Sequence, residues 1–258
     1  MAKNAILAPL LTINKLLRKP VALVDKSVLL FDLDGTLVDS VPDLALAVNQ
    51  TLQQLNMATF DEGTIRNWVG NGALCLISRA LSGNKHINEN LSEALIKKAL
   101  SLFLTNYHQC VCVKSALYTG VKETLLTLKE KGYRLAIITN KPEAFIQPLL
   151  QGLGLTNFFE LTLGGDTLPE RKPHPLPLLT ASKQLGIAIE KCVMIGDSKN
   201  DILAAKAANM ESIGLTYGYN YDENLAEHNP EYLFDHFNEL LSVLITPVSQ
   251  CNEKSVNA

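Results

Sequence analysis

The chain has little that would support a disulfide-stapled or zinc-bound fold. Five cysteines, Cys75, Cys110, Cys112, Cys192 and Cys251, occur in 258 residues without Cys-x-x-Cys spacing. An odd number so spaced argues against a disulfide framework and a zinc site and for reduced thiols. Cys110-Val111-Cys112 has the spacing of a soft-metal or redox pair, but such pairs more often fill core or hinge space. The five histidines are scattered without ligand spacing. Long basic runs are absent and the formal net charge is −3, so no nucleic-acid partner is expected. There is no Gly-Lys-Ser/Thr loop, and Gly152-Leu153-Gly154 lacks the third glycine of a dinucleotide loop. Nothing reaches the roughly 20 apolar residues that a bilayer requires. Ala5 to Leu17 comes nearest, yet it is broken by Pro9, Asn14 and Lys15 and has no small-residue cleavage site. It reads as an amphipathic extension or the product of a misplaced start codon rather than a secretory signal. A cytoplasmic protein with no membrane partner is expected.

What remains is a chain that is 47% hydrophobic, enough to bury one large core and an accessory domain. Its most informative stretch is Phe31-Asp32-Leu33-Asp34-Gly35-Thr36-Leu37, which follows the apolar run Val28-Leu29-Leu30. Side chains alternate along a strand, so Asp32 and Asp34 would share a face, and Gly35 supplies the bend that releases the chain from the sheet. Two converging acids suggest a hard metal such as Mg2+, or a nucleophile paired with a general acid and base. Taken alone, the pattern also fits a solvated turn.

Three further segments bear on that choice. Cys192 to Asp201 is a second apolar run ending in Gly196 and Asp197, with Asp201 four residues on, in the first turn of a helix. A run from Arg134 ends in Thr139-Asn140-Lys141, whose hydroxyl and amide suit phosphate oxygens. Lys172, between prolines in Pro169 to Pro175, offers a point charge for a phosphoryl group.

In this order, an Asp-x-Asp-Gly-Thr, a strand-end Thr, a Lys-Pro and a Gly-Asp-x-x-x-Asp, the sequence resembles the haloacid dehalogenase-like hydrolases from about Val28 to about Leu244. Within that superfamily it is most similar to the bacterial phosphoglycolate phosphatases, through Val-Asp-Ser at 38–40, Trp-Val-Gly-Asn-Gly at 68–72, Thr-Asn-Lys-Pro at 139–142 and Leu-Thr-Tyr-Gly-Tyr-Asn-Tyr at 215–221. The resemblance implies that Asp32 is a nucleophile forming an aspartyl-phosphate and Asp34 the general acid and base. It further implies Mg2+ held by Asp32, the Asp34 main-chain carbonyl and Asp197, with Thr139 and Lys172 gripping the phosphoryl group and Asp201 supporting the metal site. The implied reaction is hydrolysis of 2-phosphoglycolate to glycolate and phosphate. A related phosphatase or mutase for a sugar phosphate, nucleotide or pyrophosphate, and a catalytically silent module, are the alternatives. A monomer or homodimer is expected.

Apolar runs alternate with amphipathic ones after Tyr118, which predicts an α/β fold, a Rossmann-like parallel sheet with helices on both faces. Strands are predicted at Val28, at Arg134, near Phe159 to Gly164 and at Cys192. Helices are predicted over Gly120 to Lys131, after Pro142, and over Leu176 to Leu185 and Asn200 to Asn209. Between Ser40 and Leu117 the texture is helical, with helices from Asp43 and over Leu91 to Tyr107. The predicted division is an N-terminal extension at 1–25, a catalytic core at 26–40 and 117–258, and an inserted α-helical cap at 41–116. In such sheets ligands bind beyond the carboxyl ends of the strands. The cap would read the organic part of the substrate, with the turn Gly70-Asn71-Gly72 as the candidate and Asn71, Asn140 and Lys141 as substrate-binding residues, Arg66 adding charge. Tyr217, Tyr219 and Tyr221 are read as a strand edge or packed loop and given no role.

Overall fold

A computed structural model describes residues 23–220 and 223–244 of the chain. The apolar segment from Ala5 to Leu17, Tyr221 and Cys251 lie outside the described residues. The strands are β1 (Val28–Phe31), β2 (Val38–Asp39), β3 (Ala116–Leu117), β4 (Arg134–Ile138), β5 (Leu161–Leu163), β6 (Cys192–Gly196), β7 (Glu211–Leu215) and β8 (Tyr232–Phe234). The helices are α1 (Val41–Gln54), α2 (Glu62–Arg66), α3 (Ala73–Ser82), α4 (Glu93–Cys110), α5 (Val121–Glu130), α6 (Ile146–Gly152), α7 (Leu176–Leu185) and α8 (Lys199–Ala207).

Six strands form one parallel sheet in the order β5-β4-β1-β6-β7-β8. The central strand β1 is wholly buried because it is apolar on both faces, as a strand covered by helices on each side must be. Alternation sends Leu29 and Phe31 to one face, where they join Val121, Leu125, Leu128, Ile146 and Leu149 from α5 and α6. Val28 and Leu30 face the other layer, against Leu178 and Ala181 of α7 and Ala204 and Ala205 of α8. Register brings the ends of the three central strands level. Phe31 pairs with Ile137 and with Ile195, so Asp32, Thr139 and Asp197 leave the sheet side by side.

Two strands of this sheet, and the short β2 and β3, are not predicted from the sequence. Glu211-Ser212-Ile213-Gly214-Leu215 carries a charge, a hydroxyl and a glycine, so β7 lacks the unbroken apolar run of β1 and β6, and β8 is a three-residue edge strand. Helices α1 to α4 are inserted between β2 and β3, which pair antiparallel as a small flap. These helices have an apolar cluster of their own, including Val48, Leu52, Ile65, Trp68, Ile77 and Phe103, to which the sheet-bearing part contributes only Phe145 and Tyr219. No helix among the described residues is long and apolar enough to cross a membrane.

The two linkers of the insertion are fastened together by Asp43, a fully buried carboxylate in the first turn of α1. It accepts the N–H groups of Val113, Lys114 and Ser115 at 2.8–3.0 Å and the Ser115 hydroxyl at 2.6 Å. Cys110 is buried just ahead of this segment, and the four described cysteines are free thiols. Burial pushes the Cys110 and Cys112 thiols up, which suits space-filling rather than redox chemistry. Replacing Asp43 by Ala strips four donors of their partner, so equilibrium urea unfolding should show a loss of about 3 kcal/mol. A loss below about 1 kcal/mol would mean that solvent satisfies those donors and that the clasp contributes little.

Candidate active site

Asp32 follows β1 directly and is held there by main-chain geometry. Its N–H donates to the Ile195 carbonyl at 2.9 Å, and its Oδ1 accepts the N–H of Leu33 at 2.7 Å. Lys172 reaches it from the loop ahead of α7, with Nζ 3.1 Å from Asp32 Oδ1 and 2.6 Å from Asp201 Oδ1. The other oxygen of Asp201 caps its own helix, accepting the N–H of Ser198 at 3.0 Å and its hydroxyl at 2.8 Å. Asp201 thus joins the start of α8 to the buried ammonium. A Cβ on Gly196 would collide with its carboxylate, which explains the Gly before Asp197.

Asp197 is gripped at both oxygens. Thr36 Oγ1 donates to Oδ1 at 2.5 Å and the N–H of Tyr219 donates to Oδ2 at 2.6 Å. A Cβ at Gly35 or Gly218 would occupy the space of this carboxylate. Asp34 points toward the insertion. Its Oδ1 accepts Ser40 Oγ at 2.6 Å and Lys141 Nζ at 3.0 Å, and its Oδ2 is 3.2 Å from Lys141 Nζ. The Lys141 ammonium also donates to the hydroxyl of Tyr107, on α4, at 2.7 Å.

Thr139 is buried beside Asp32, with Oγ1 accepting the N–H of Lys141 at 3.2 Å. Asn140 Nδ2 donates to the carbonyls of Lys172 at 3.0 Å and Gly70 at 3.1 Å, tying the sheet end to a turn of the insertion. Asn200 Nδ2 adds a second bond to Gly70, at 3.3 Å. Asn140 Oδ1 is buried without a partner among the described residues, an acceptor facing a site otherwise rich in oxygen.

Burial raises the Asp32 carboxyl to about 6 despite the opposing charge of Lys172, and Asp201 and Asp34 push the same way. Burial, then the charges of Asp32 and Asp201, lifts Asp197 well above the usual carboxylate range. Burial works against the Lys172 ammonium, but Asp201 and Asp32 outweigh it and its affinity for a proton rises. The same contest at Lys141 is won by Asp34 and Tyr107. With Asp34 matched by Lys141, three carboxylates face one ammonium. Oxygens of Asp32, Asp197 and Asp201 lie within 4.8 Å of one another, and the two uncompensated charges equal those of one divalent cation. The donor set, all hard oxygen, fits Mg2+ in type.

Above these groups lies a partly open cavity of about 30 Å3, room for roughly two water molecules. Its floor is Asp32, Asp34, Thr139, Asn140 and Lys141, and its roof is Leu44, Val69, Gly70, Gly72, Leu76, Phe103 and Tyr107.

The structure therefore gathers Asp32, Asp34, Thr139, Asn140, Lys141, Lys172, Asp197 and Asp201 around one point. Asn71 is not among the lining residues, since Gly70 and Gly72 present their main chain instead. Arg66 is engaged elsewhere, with Asp39 and Glu62. His174 accepts the Leu176 N–H at the start of α7. Thr36, Ser40, Tyr107 and Asn200 are not singled out in the sequence, and Tyr219 is given no role there. Thr36 and Ser40 lie inside the quoted motifs at 31–37 and 38–40. Tyr107 sits in an amphipathic helix with no local mark to distinguish it.

The profile of the haloacid dehalogenase-like hydrolases matches residues 29–215, and the chain belongs to that family. It is 65% identical over 219 residues to a phosphoglycolate phosphatase of Colwellia psychrerythraea, covering 85% of this chain and 97% of that one. A phosphoglycolate phosphatase of Haemophilus influenzae is 47% identical, over 83% of this chain and 96% of its own. Among solved structures, one described as a predicted phosphoglycolate phosphatase from Haemophilus somnus superposes with a TM-score of 0.79 at 40% identity, covering 85% and 98% of the two chains. Hydrolysis of a phosphate ester is the activity these relatives support.

A carboxyl whose folded pKa lies above its unfolded value binds its proton more tightly in the folded state. From the value of about 6 for Asp32 against 3.8 unfolded, the metal-free protein should lose stability as pH rises from about 4 to about 6. The loss from this group is of the order of 3 kcal/mol and persists above that window. Asp32→Asn removes the cost, so in EDTA the variant should outlast wild type in denaturant near about pH 7.5 and match it near about pH 4. Equal stability at the higher pH would show that Asp32 titrates like a solvated carboxyl.

Proposed function

We propose that this chain is a Mg2+-dependent phosphatase that hydrolyses 2-phosphoglycolate to glycolate and phosphate through an aspartyl-phosphate on Asp32. The observation that carries the reading is the ion pair of Asp32 with buried Lys172, beside a cavity lined by Asp32, Asp34, Thr139 and Lys141. Names of relatives up to 65% identical support the substrate.

A phosphate monoester repels an anionic nucleophile, so positive charge must be present before a carboxylate approaches in line. Lys172 supplies part of it from beside Asp32. Asp32, the Asp34 main-chain carbonyl and Asp197 would hold Mg2+, which would supply further positive charge to the phosphoryl oxygens. Thr139 and the main chain around it position the phosphoryl group, and Asp201 keeps Lys172 and the start of α8 in register. In the first half-reaction an Asp32 oxygen bonds to phosphorus, the bond to the leaving oxygen breaks, and Asp34 gives that oxygen a proton. In the second, Asp34 takes a proton from water, whose oxygen bonds to phosphorus as the bond to Asp32 breaks. Phosphate leaves and the carboxylate is restored.

Residues 41–116 act as the cap domain on a core of 26–40 and 117–258. The cap closes the cavity and excludes water. Lys141 and the Tyr107 hydroxyl, 2.7 Å apart where floor and roof meet, read the substrate's carboxylate, with Asn140 beside them. A small soluble ester of this kind suits a cytoplasmic enzyme that works as a monomer or homodimer.

Phosphate release from 2-phosphoglycolate, p-nitrophenyl phosphate, sugar phosphates, pyrophosphate and nucleotides, with Mg2+ and with EDTA, tests the proposal. The kcat/KM for 2-phosphoglycolate should exceed every other by at least about tenfold and vanish in EDTA. A preference for another ester would keep the chemistry and discard the substrate. Asp32→Asn should abolish turnover, and near-normal turnover would exclude the covalent route. Lys141→Met should raise KM for 2-phosphoglycolate about a hundredfold, the value of a charge-assisted contact of ~3 kcal/mol. It should change KM for p-nitrophenyl phosphate far less, and an equal effect on both esters would remove Lys141 from carboxylate recognition.

A further inference from the structure

Tyr219 takes part in none of the steps above, yet its two ends belong to different parts of the molecule. Its main-chain N–H donates to Asp197 Oδ2 at 2.6 Å. Its ring lies in the apolar cluster of α1 to α4, 3% exposed. The hydroxyl donates to Asp39 Oδ1 at 2.6 Å and accepts the N–H groups of Ser40 at 2.9 Å and Val41 at 3.3 Å, where the chain enters α1. Arg66, on α2, completes the joint. Its guanidinium binds both Asp39 oxygens at 3.0 and 3.1 Å and lies 5.2 Å from the centroid of the Tyr219 ring. Between Tyr217 and Tyr219 there is room only for glycine, since a Cβ on Gly218 would meet the Asp197 carboxylate. Tyr217 braces the opposite side, its hydroxyl donating to the Thr36 carbonyl at 2.6 Å while Thr36 Oγ1 holds the other Asp197 oxygen.

We propose that Tyr219 is a positioning residue that makes metal binding at Asp197 and the seating of helices α1 to α4 linked equilibria, with Arg66 as its counterpart on the insertion. The inference rests on the reading of Asp197 as a Mg2+ carboxylate. Lifting the insertion takes Val41 from the Tyr219 hydroxyl and Arg66 from its ring, and pulls on Asp39 and Ser40 through the chain that leads into α1 and through the Arg66–Asp39 pair. The residue then loses these contacts or follows them and draws its N–H from Asp197. Whatever fixes the carboxylate therefore favours the seated insertion, and the seated insertion favours cation binding by the same factor. Plain packing by Tyr219 would give no such reciprocity.

Calorimetric titration of the full chain with MgCl2 alone separates the two, using wild type, Tyr219→Phe, Arg66→Met, the double variant and Asp197→Ala. Arg66 pairs with Asp39 and Glu62 and has no bond to Asp197. Removing its positive charge would by charge alone tighten binding of a cation. Linkage instead weakens the Mg2+ Kd by about fivefold or more in each single variant, with no further loss in the double. Trp68, the single tryptophan of the chain, is buried in the insertion in edge contact with Phe60, so its emission should change on Mg2+ addition in wild type and stay unchanged in both variants at saturation. Unaltered or tighter binding by Arg66→Met, additive losses in the double variant, or wild-type emission indifferent to Mg2+ would overturn the linkage. If circular dichroism shows Tyr219→Phe unfolded, Arg66→Met alone decides by the same criteria. Undiminished binding by Asp197→Ala would overturn the metal reading and the linkage with it. Binding lost in Asp197→Ala but kept in the other variants would overturn the linkage alone.

Discussion

Burying Asp32, Asp197 and Asp201 within 4.8 Å of one another requires compensating charge, and most of the architecture around the sheet end serves that requirement. Lys172 is placed between two of the acids, with its ammonium almost wholly removed from water. Carboxylates this close stay ionised only with a cation among them, and burial otherwise drives them to hold protons. Lys141 and Asp34 form a second, self-contained pair nearer the insertion. The separation matters chemically. One group of acids is left short of positive charge and open to a cation, while the other acid already has its counter-charge in Lys141.

The sheet core could be read from the chain because parallel strands covered on both faces are continuous apolar runs, and β1, β4 and β6 are such runs. Their ends carry the acids and the hydroxyl, so motif and fold pointed to the same edge. β7 and β8 escaped because Ser212 and Gly214 interrupt one and the other is three residues long at a sheet margin. Local pattern cannot supply pairing partners, and it was pairing with β6 that made β7 a strand.

The polar residues around the site were less legible than those at its centre. Tyr107 and Tyr219 make their contacts across sequence separations that no short motif spans, whereas the Ser40 hydroxyl reaches Asp34 only six residues away. Asn71 shows a different limit of local pattern. A polar side chain in a glycine-flanked turn attracts attention, yet in the structure the turn offers its main chain, and Gly70 is the residue that two core amides hold.

The pairing of Val28 with both Arg134 and Cys192 has a further consequence for how the molecule comes into being. During synthesis Asp32 emerges early, whereas Asp197 follows a strand that is made only after the whole helical insertion and three more strands, β3, β4 and β5. Contacts of such long range close large loops and form late. In a nascent or truncated chain that stops short of α8, Asp32 has neither Asp197 nor Asp201 beside it, so the cluster of buried acids assembles only once the segment through α8 has been made.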